Sequence, residues 1–164
     1  MKLDRLSQGE KIAAVSAILL FVLMFFDWFS VEVSTSSLVE LRLFASAGGS
    51  AWGALEWIPI FLVVAIVAAL FVATLRLTDA QYRPPLSGNA VVAVLGGLSF
   101  LLILYRILDP PGAGSVPGFS INVSPTFWIF ASLVAAAGIA YGGYRGMGEE
   151  GTSFGEVAAR LGRR

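Results

Sequence analysis

The sequence predicts an all-α membrane protein: a four-transmembrane-helix bundle carrying a small extracytoplasmic antiparallel β-sheet of about three strands. Three observations lead there. Of 164 residues, 57% are hydrophobic and 13% charged, with a mean hydropathy of +0.80, whereas a soluble domain is roughly 45–50% apolar and about 25% charged. Four apolar runs approach the roughly 20 residues that carry a helix across about 30 Å of hydrocarbon. Basic residues gather on one side of those runs, and period-two alternation marks the loops on the other.

The first run covers residues 12–26 and is extended by Trp28 and Phe29, for a helix over about 8–28. Ahead of it, SQGE at 7–10 has the three-residue spacing of a capping box, Ser7 as cap and Glu10 reaching back. The basic residues Lys2, Arg5 and Lys11 before an apolar stretch also resemble a signal peptide. However, the A-x-A at Ala45-Ser46-Ala47 lies too far downstream for cleavage, so the first helix is expected to be retained. The second run gives a helix over about 57–77, with Pro59 near its start, where a missing N–H is harmless. A third, about 89–108, is read as capped by Asn89, and a fourth, about 125–145, follows Pro125. The tail 147–164 contains SFGE, a second capping-box spacing from Ser153 to Glu156. Either a short amphipathic helix on the inner leaflet or a frayed end fits, since Gly148, Gly151, Gly155 and Gly162 weaken a helix.

Orientation follows from Lys and Arg. Lys2, Arg5, Lys11, Arg76, Arg83, Arg145, Arg160, Arg163 and Arg164 all fall on one side, which predicts a multi-pass protein of the cell membrane with both termini cytoplasmic. The opposite side keeps Arg42 and Arg106 beside Asp27, Glu32, Glu40, Glu56 and Asp109. In its loops, Val31 and Val33 flank Glu32, and Val39, Leu41 and Leu43 alternate with Glu40 and Arg42. Phe119, Ile121 and Val123 alternate with Ser120, Asn122 and Ser124. Period two means strand, so strands are expected at about 30–34, 38–44 and 118–124. Between them, a segment beginning at Ser50 suits one or two helical turns, and DPPGAGSVPG at 109–118 reads as an irregular turn.

Four helices with strands in both outer loops resemble the claudin-like superfamily, and Trp28 followed by GGSAW at 48–52 looks like its first-loop tryptophan pattern. The family's two loop cysteines are absent here. The Ala/Gly-rich composition is also similar to that of many uncharacterised four-helix membrane proteins of actinobacteria. Neither resemblance implies an activity.

Without Cys or His, disulfides, thiolate or imidazole metal ligation and His-based acid–base catalysis are excluded. Balanced charge, 11 basic against 11 acidic residues, gives nucleic acid no attracting field. No cofactor is expected, and the lipid bilayer is the expected partner. Asp27, Glu56, Arg106 and Asp109 are placed at one depth near the outer boundary, where Arg106 either braces the bundle as an ion pair, reaches for water, or binds a head-group phosphate or ion. Trp28, Trp52, Trp57 and Trp128 are expected to be interfacial anchors. Small residues at four-residue spacing, Ala13/Ala17, Ala65/Ala69/Ala73 and Gly138/Gly142/Gly146, with Gly96-Gly97, mark close helix contacts, either within the bundle or to a homo-oligomer or another membrane protein. The leading function is a non-enzymatic scaffold or accessory protein. Alternatives are a subunit of an oligomeric channel or transporter with an acidic outer rim, and a lipid head-group binding protein.

Overall fold

The structure, a computed structural model, describes residues 6–35, 49–54, 57–78, 88–110, 114–116, 119–151 and 155. In chain order these form α1 (Gln8–Leu23), β1 (Asp27–Thr35), β2 (Gly49–Ser50), α2 (Ala51–Ala54), α3 (Ile58–Leu77), α4 (Gly88–Leu108), β3 (Gly114–Val116), β4 (Phe119–Pro125) and α5 (Phe127–Glu149).

Both halves of the first capping box are made: the Glu10 amide donates to Ser7 Oγ at 3.2 Å, and the Ser7 amide donates to Glu10 Oε2 at 3.0 Å. The helix so started ends at Leu23, five residues before the expected 28. Residues 24–26 turn, and Asp27 opens β1 rather than closing a helix. Two features enforce the stop. The Trp28 indole N–H donates to the Leu23 carbonyl at 2.8 Å, satisfying a carbonyl that the helix leaves open, and strand pairing from Asp27 onward competes with further helical turns.

The four long helices form a ring in which α1 packs on α3 and α5, and α4 on the same two. Neighbours run antiparallel. Gly142 lies against Ala13 and Gly138 against Ser16, while Gly143 lies against Ala93 and Gly96 against Ala140. The helix interior is made of small residues and a few branched ones, with Ala13, Ala17, Ala65, Ala69, Ala73, Ala136, Leu20, Leu62, Ile103 and Ile139 all buried. Large apolar side chains point outward instead: Val15, Ile60, Val67, Leu101 and Val134 are more than half exposed. Apolar surface of that extent on a soluble monomer would be an aggregation liability, whereas hydrocarbon solvates it.

Among the described residues, three helices, α3, α4 and α5, are long and apolar enough to cross a membrane. With 16 residues, α1 spans roughly 24 Å and lies alongside them, exposing Ile18, Phe21 and Val22.

At the end where α1 finishes and α5 begins, the four strands form an antiparallel sheet in the order β2-β1-β4-β3. The main pairing registers Phe29 with Pro125 through to Thr35 with Phe119. Thr126 ties this pair to α5, since its amide donates to the Trp28 carbonyl at 2.9 Å and its hydroxyl to the Asp27 carbonyl. Segment 109–118, expected to be an irregular turn, contains the edge strand β3, paired to β4 from Gly114↔Ile121 to Val116↔Phe119. The helical turn expected after Ser50 is α2. The strand expected at 38–44 and the second capping box at Ser153 lie outside the described residues. Helix α5 runs four residues beyond the expected 145, to Glu149. Close packing of its glycines against α1 and α4 offsets their poor helix propensity.

Candidate functional site

The densest polar constellation is not the expected outer one. It lies at the opposite end from the sheet, where α1 begins, α3 ends, α4 begins and α5 ends. Glu10, only 4% exposed, is its hub. Its Oε1 accepts from Arg76 Nε at 3.1 Å and from Asn89 Nδ2 at 3.4 Å, while Oε2 serves the Ser7 amide. One carboxylate thus touches α1, α3 and α4. A second wing reaches α5: Arg76 also pairs with Glu150, the Gly9 amide donates to Glu149 Oε2 at 3.3 Å, and Arg145 bridges Glu149 Oε1 at 3.3 Å and Gln8 Oε1 at 2.9 Å. Buried ionic groups are tolerated when paired and fully hydrogen-bonded, and Glu10 meets both conditions. Asn89, read as a helix cap, stands instead inside α4, 1% exposed, with its amide turned to Glu10 and its side chain beside Gly146.

The sequence carried a signal for this latch. Glu10 shares a helical face with Ala13 and Ala17 at spacings of three and seven, and Asn89 shares one with Ala93 and Gly96 at four and seven. A polar residue on a small-residue face must point at a neighbouring helix. Which neighbour it meets is not local information, because Glu10 and Asn89 are 79 residues apart. Removal of the hub gives a testable consequence. Glu10→Ala is expected to destabilise the detergent-solubilised protein by about 2 kcal/mol, below the range for a fully buried pair because Arg76 is half exposed and keeps Glu150. An unchanged thermal midpoint would contradict the latch.

At the sheet end, the three described members of the expected outer cluster, Asp27, Arg106 and Asp109, do not pair with one another. Asp109 accepts a hydrogen bond from the Tyr105 hydroxyl at 2.9 Å rather than pairing with Arg106, and Asp27 is exposed at the start of β1. Arg106 makes no ion pair with either, and its Nε–H is buried without a hydrogen-bond partner. On α4, Tyr105 precedes Asp109 by four residues, a spacing as favourable for contact as the three residues from Arg106, so the carboxylate has two candidate partners on its own helix and takes the hydroxyl. Glu56 lies outside the described residues.

The tryptophans divide. Trp52, Trp57 and Trp128 are exposed, with Trp128 stacked on Phe26 at 4.4 Å and Trp52 beside Phe25 at 6.2 Å. Trp28, expected as an interfacial anchor, is fully buried beneath the sheet and held by the Leu23 carbonyl. The glycines divide as well. Gly138, Gly142 and Gly146 all face inward, against Ser16, Ala13 and Asn89, and Gly96 faces Ala140, so these residues are taken up inside the bundle and do not present a partner-helix face. Around Gly97 there is open space.

Among the described residues, no group of three or more acidic side chains stands close enough to hold a metal ion. The chain matches no protein-family model, no curated protein and no solved structure.

Proposed function

We propose that the protein is a non-catalytic integral membrane scaffold or accessory subunit, crossing the cell membrane four times with both termini in the cytoplasm and the sheet on the far side. The observation that carries this reading is the use made of its ionisable groups. Among the described residues, Glu10, Arg76, Arg145, Glu149 and Glu150 are engaged with one another or with backbone at one end, fastening four helices together. Groups committed in this way hold a framework rigid. Such an arrangement suits a protein whose work is to present surfaces, whereas transporters usually carry ionisable groups along a midplane pathway.

With the Gly138 series buried inside, the surfaces left for association are the apolar helix flanks and the sheet. Among the described residues, the short edge strands β2 and β3 each keep one side unpaired within the sheet. Cross-linking in native membranes followed by mass measurement is the test. A defined oligomer or a stoichiometric partner is the expected result, and a solitary monomer at every cross-linker length would overturn the reading.

A further inference from the structure

We propose that the Arg106 guanidinium binds a lipid head-group phosphate at the sheet end of the bundle. This inference goes beyond the scaffold role and rests on the membrane-crossing part of that reading. The three described arginines differ in what they meet. Arg76 meets Glu10 and Glu150, and Arg145 meets Glu149 and Gln8, so both arginines at the latch end are paired within the chain. Arg106 is not. Its Nε–H is buried without an acceptor, the nearest carboxylate in sequence is turned to Tyr105, and Asp27 is exposed elsewhere. A guanidinium stays charged at any physiological pH, and a buried donor without an acceptor carries its full desolvation cost. The site therefore calls for an anion that the described residues do not supply.

Its depth indicates which one. The Gly96–Ala140 and Ala93–Gly143 contacts set an antiparallel register that puts the last turn of α4 level with residues 127–130 of α5. There the exposed Phe127 and Trp128, with Phe26 stacked on Trp128, form part of an aromatic girdle. Such girdles sit at the level of lipid head groups, where phosphate is the abundant anion. Phosphate oxygens accept two parallel N–H bonds from a guanidinium fork, and the terminal Nη groups of Arg106, which unlike its Nε are not closed off from the surroundings, supply the prongs. The flanking Leu101, Tyr105 and Leu108 are exposed and offer apolar surface to the acyl chains of the same lipid.

Native mass spectrometry of the purified full-length protein, after delipidation and addition of phosphatidylglycerol, tests this. The wild type is expected to retain the phospholipid and not galactosyl diacylglycerol, which has similar chains without phosphate; equal retention of both would overturn the proposal without recourse to any variant. Arg106→Gln is expected to lower phosphatidylglycerol retention roughly tenfold, with Arg106→Lys between the two, and undiminished retention in a folded Arg106→Gln protein would overturn it. Inorganic phosphate in place of lipid is expected to give no adduct; an adduct lost in Arg106→Gln would identify a soluble phosphate ligand and overturn the lipid source. Glu56→Gln is expected to leave retention unchanged, and a rise would make Glu56 the natural counter-ion and overturn the proposal.

Discussion

A Gly142→Val protein is expected to lose about 3 kcal/mol of stability or to fail to assemble its bundle. A Cβ on residue 142 would stand 2.5 Å from the Ala13 amide nitrogen and 2.7 Å from the Gly9 carbonyl oxygen. Both are backbone atoms, so no side chain can rotate away and the helices must separate. Separation would also pull Gly9 from Glu149 and Gln8 from Arg145, loosening the latch from the packing side. The comparison that isolates the effect is Gly97→Ala, on a different helix with open space around it. That change is expected to be neutral or to stabilise by up to about 1 kcal/mol through helix propensity. Thermal unfolding of the two variants in one detergent reads both, and similar losses would contradict the assignment of Gly142 to a backbone contact.

Trp28→Ala is expected to cost about 3–5 kcal/mol, the other large effect. The indole is wholly buried at the point where α1 gives way to β1, so its removal leaves a cavity under the sheet. It also leaves the Leu23 carbonyl with only the longer bond from the Phe26 amide at 3.2 Å. Trp28→Phe separates the two contributions, because it keeps most of the volume and deletes the donor. A loss of about 1–2 kcal/mol is expected for it. Because Thr126 donates to the carbonyls of Asp27 and Trp28, the damage should spread to the start of α5. Hydrogen exchange at residues 27–30 and 126–129 would show it as lost protection, and unchanged exchange there would contradict the coupling.

How far the fold was legible depended on whether a residue's signal was local. The long helices were readable because continuous apolar runs in lipid have no competing interpretation, and α3 and α4 begin and end within a residue of their expected limits. Strands β1 and β4 were readable because alternation at Val31, Val33, Ile121 and Val123 is period two. In contrast, β3 was hidden: Gly114 and Ser115 are turn formers by themselves and become a strand only because the edge of β4 is available. Trp28 was misjudged because an indole near the end of an apolar run fits an interface as well as a core. The difference lies in whether a carbonyl such as that of Leu23 is within reach.

The polar groups followed the same rule. The Ser7–Glu10 box was legible because its members are three residues apart, but the second use of Glu10, toward Arg76 and Asn89, depends on how three helices meet. At the sheet end, four charges at similar depth suggested pairing, yet depth does not fix rotation about a helix. Tyr105 holds the carboxylate that was one of the candidate partners of Arg106.

The measurement that bears most directly on the whole arrangement is site-specific labelling in intact cells, for which a chain without cysteine is a ready background. Gln8→Cys lies at the latch end and Ser30→Cys in the sheet, and each is offered in turn to a membrane-impermeant maleimide. Labelling of residue 30 with protection of residue 8 until the cells are opened is the expected result. Labelling of residue 8 in intact cells, or equal labelling of both positions, would contradict a bundle that crosses the membrane with its latch inside and its sheet outside.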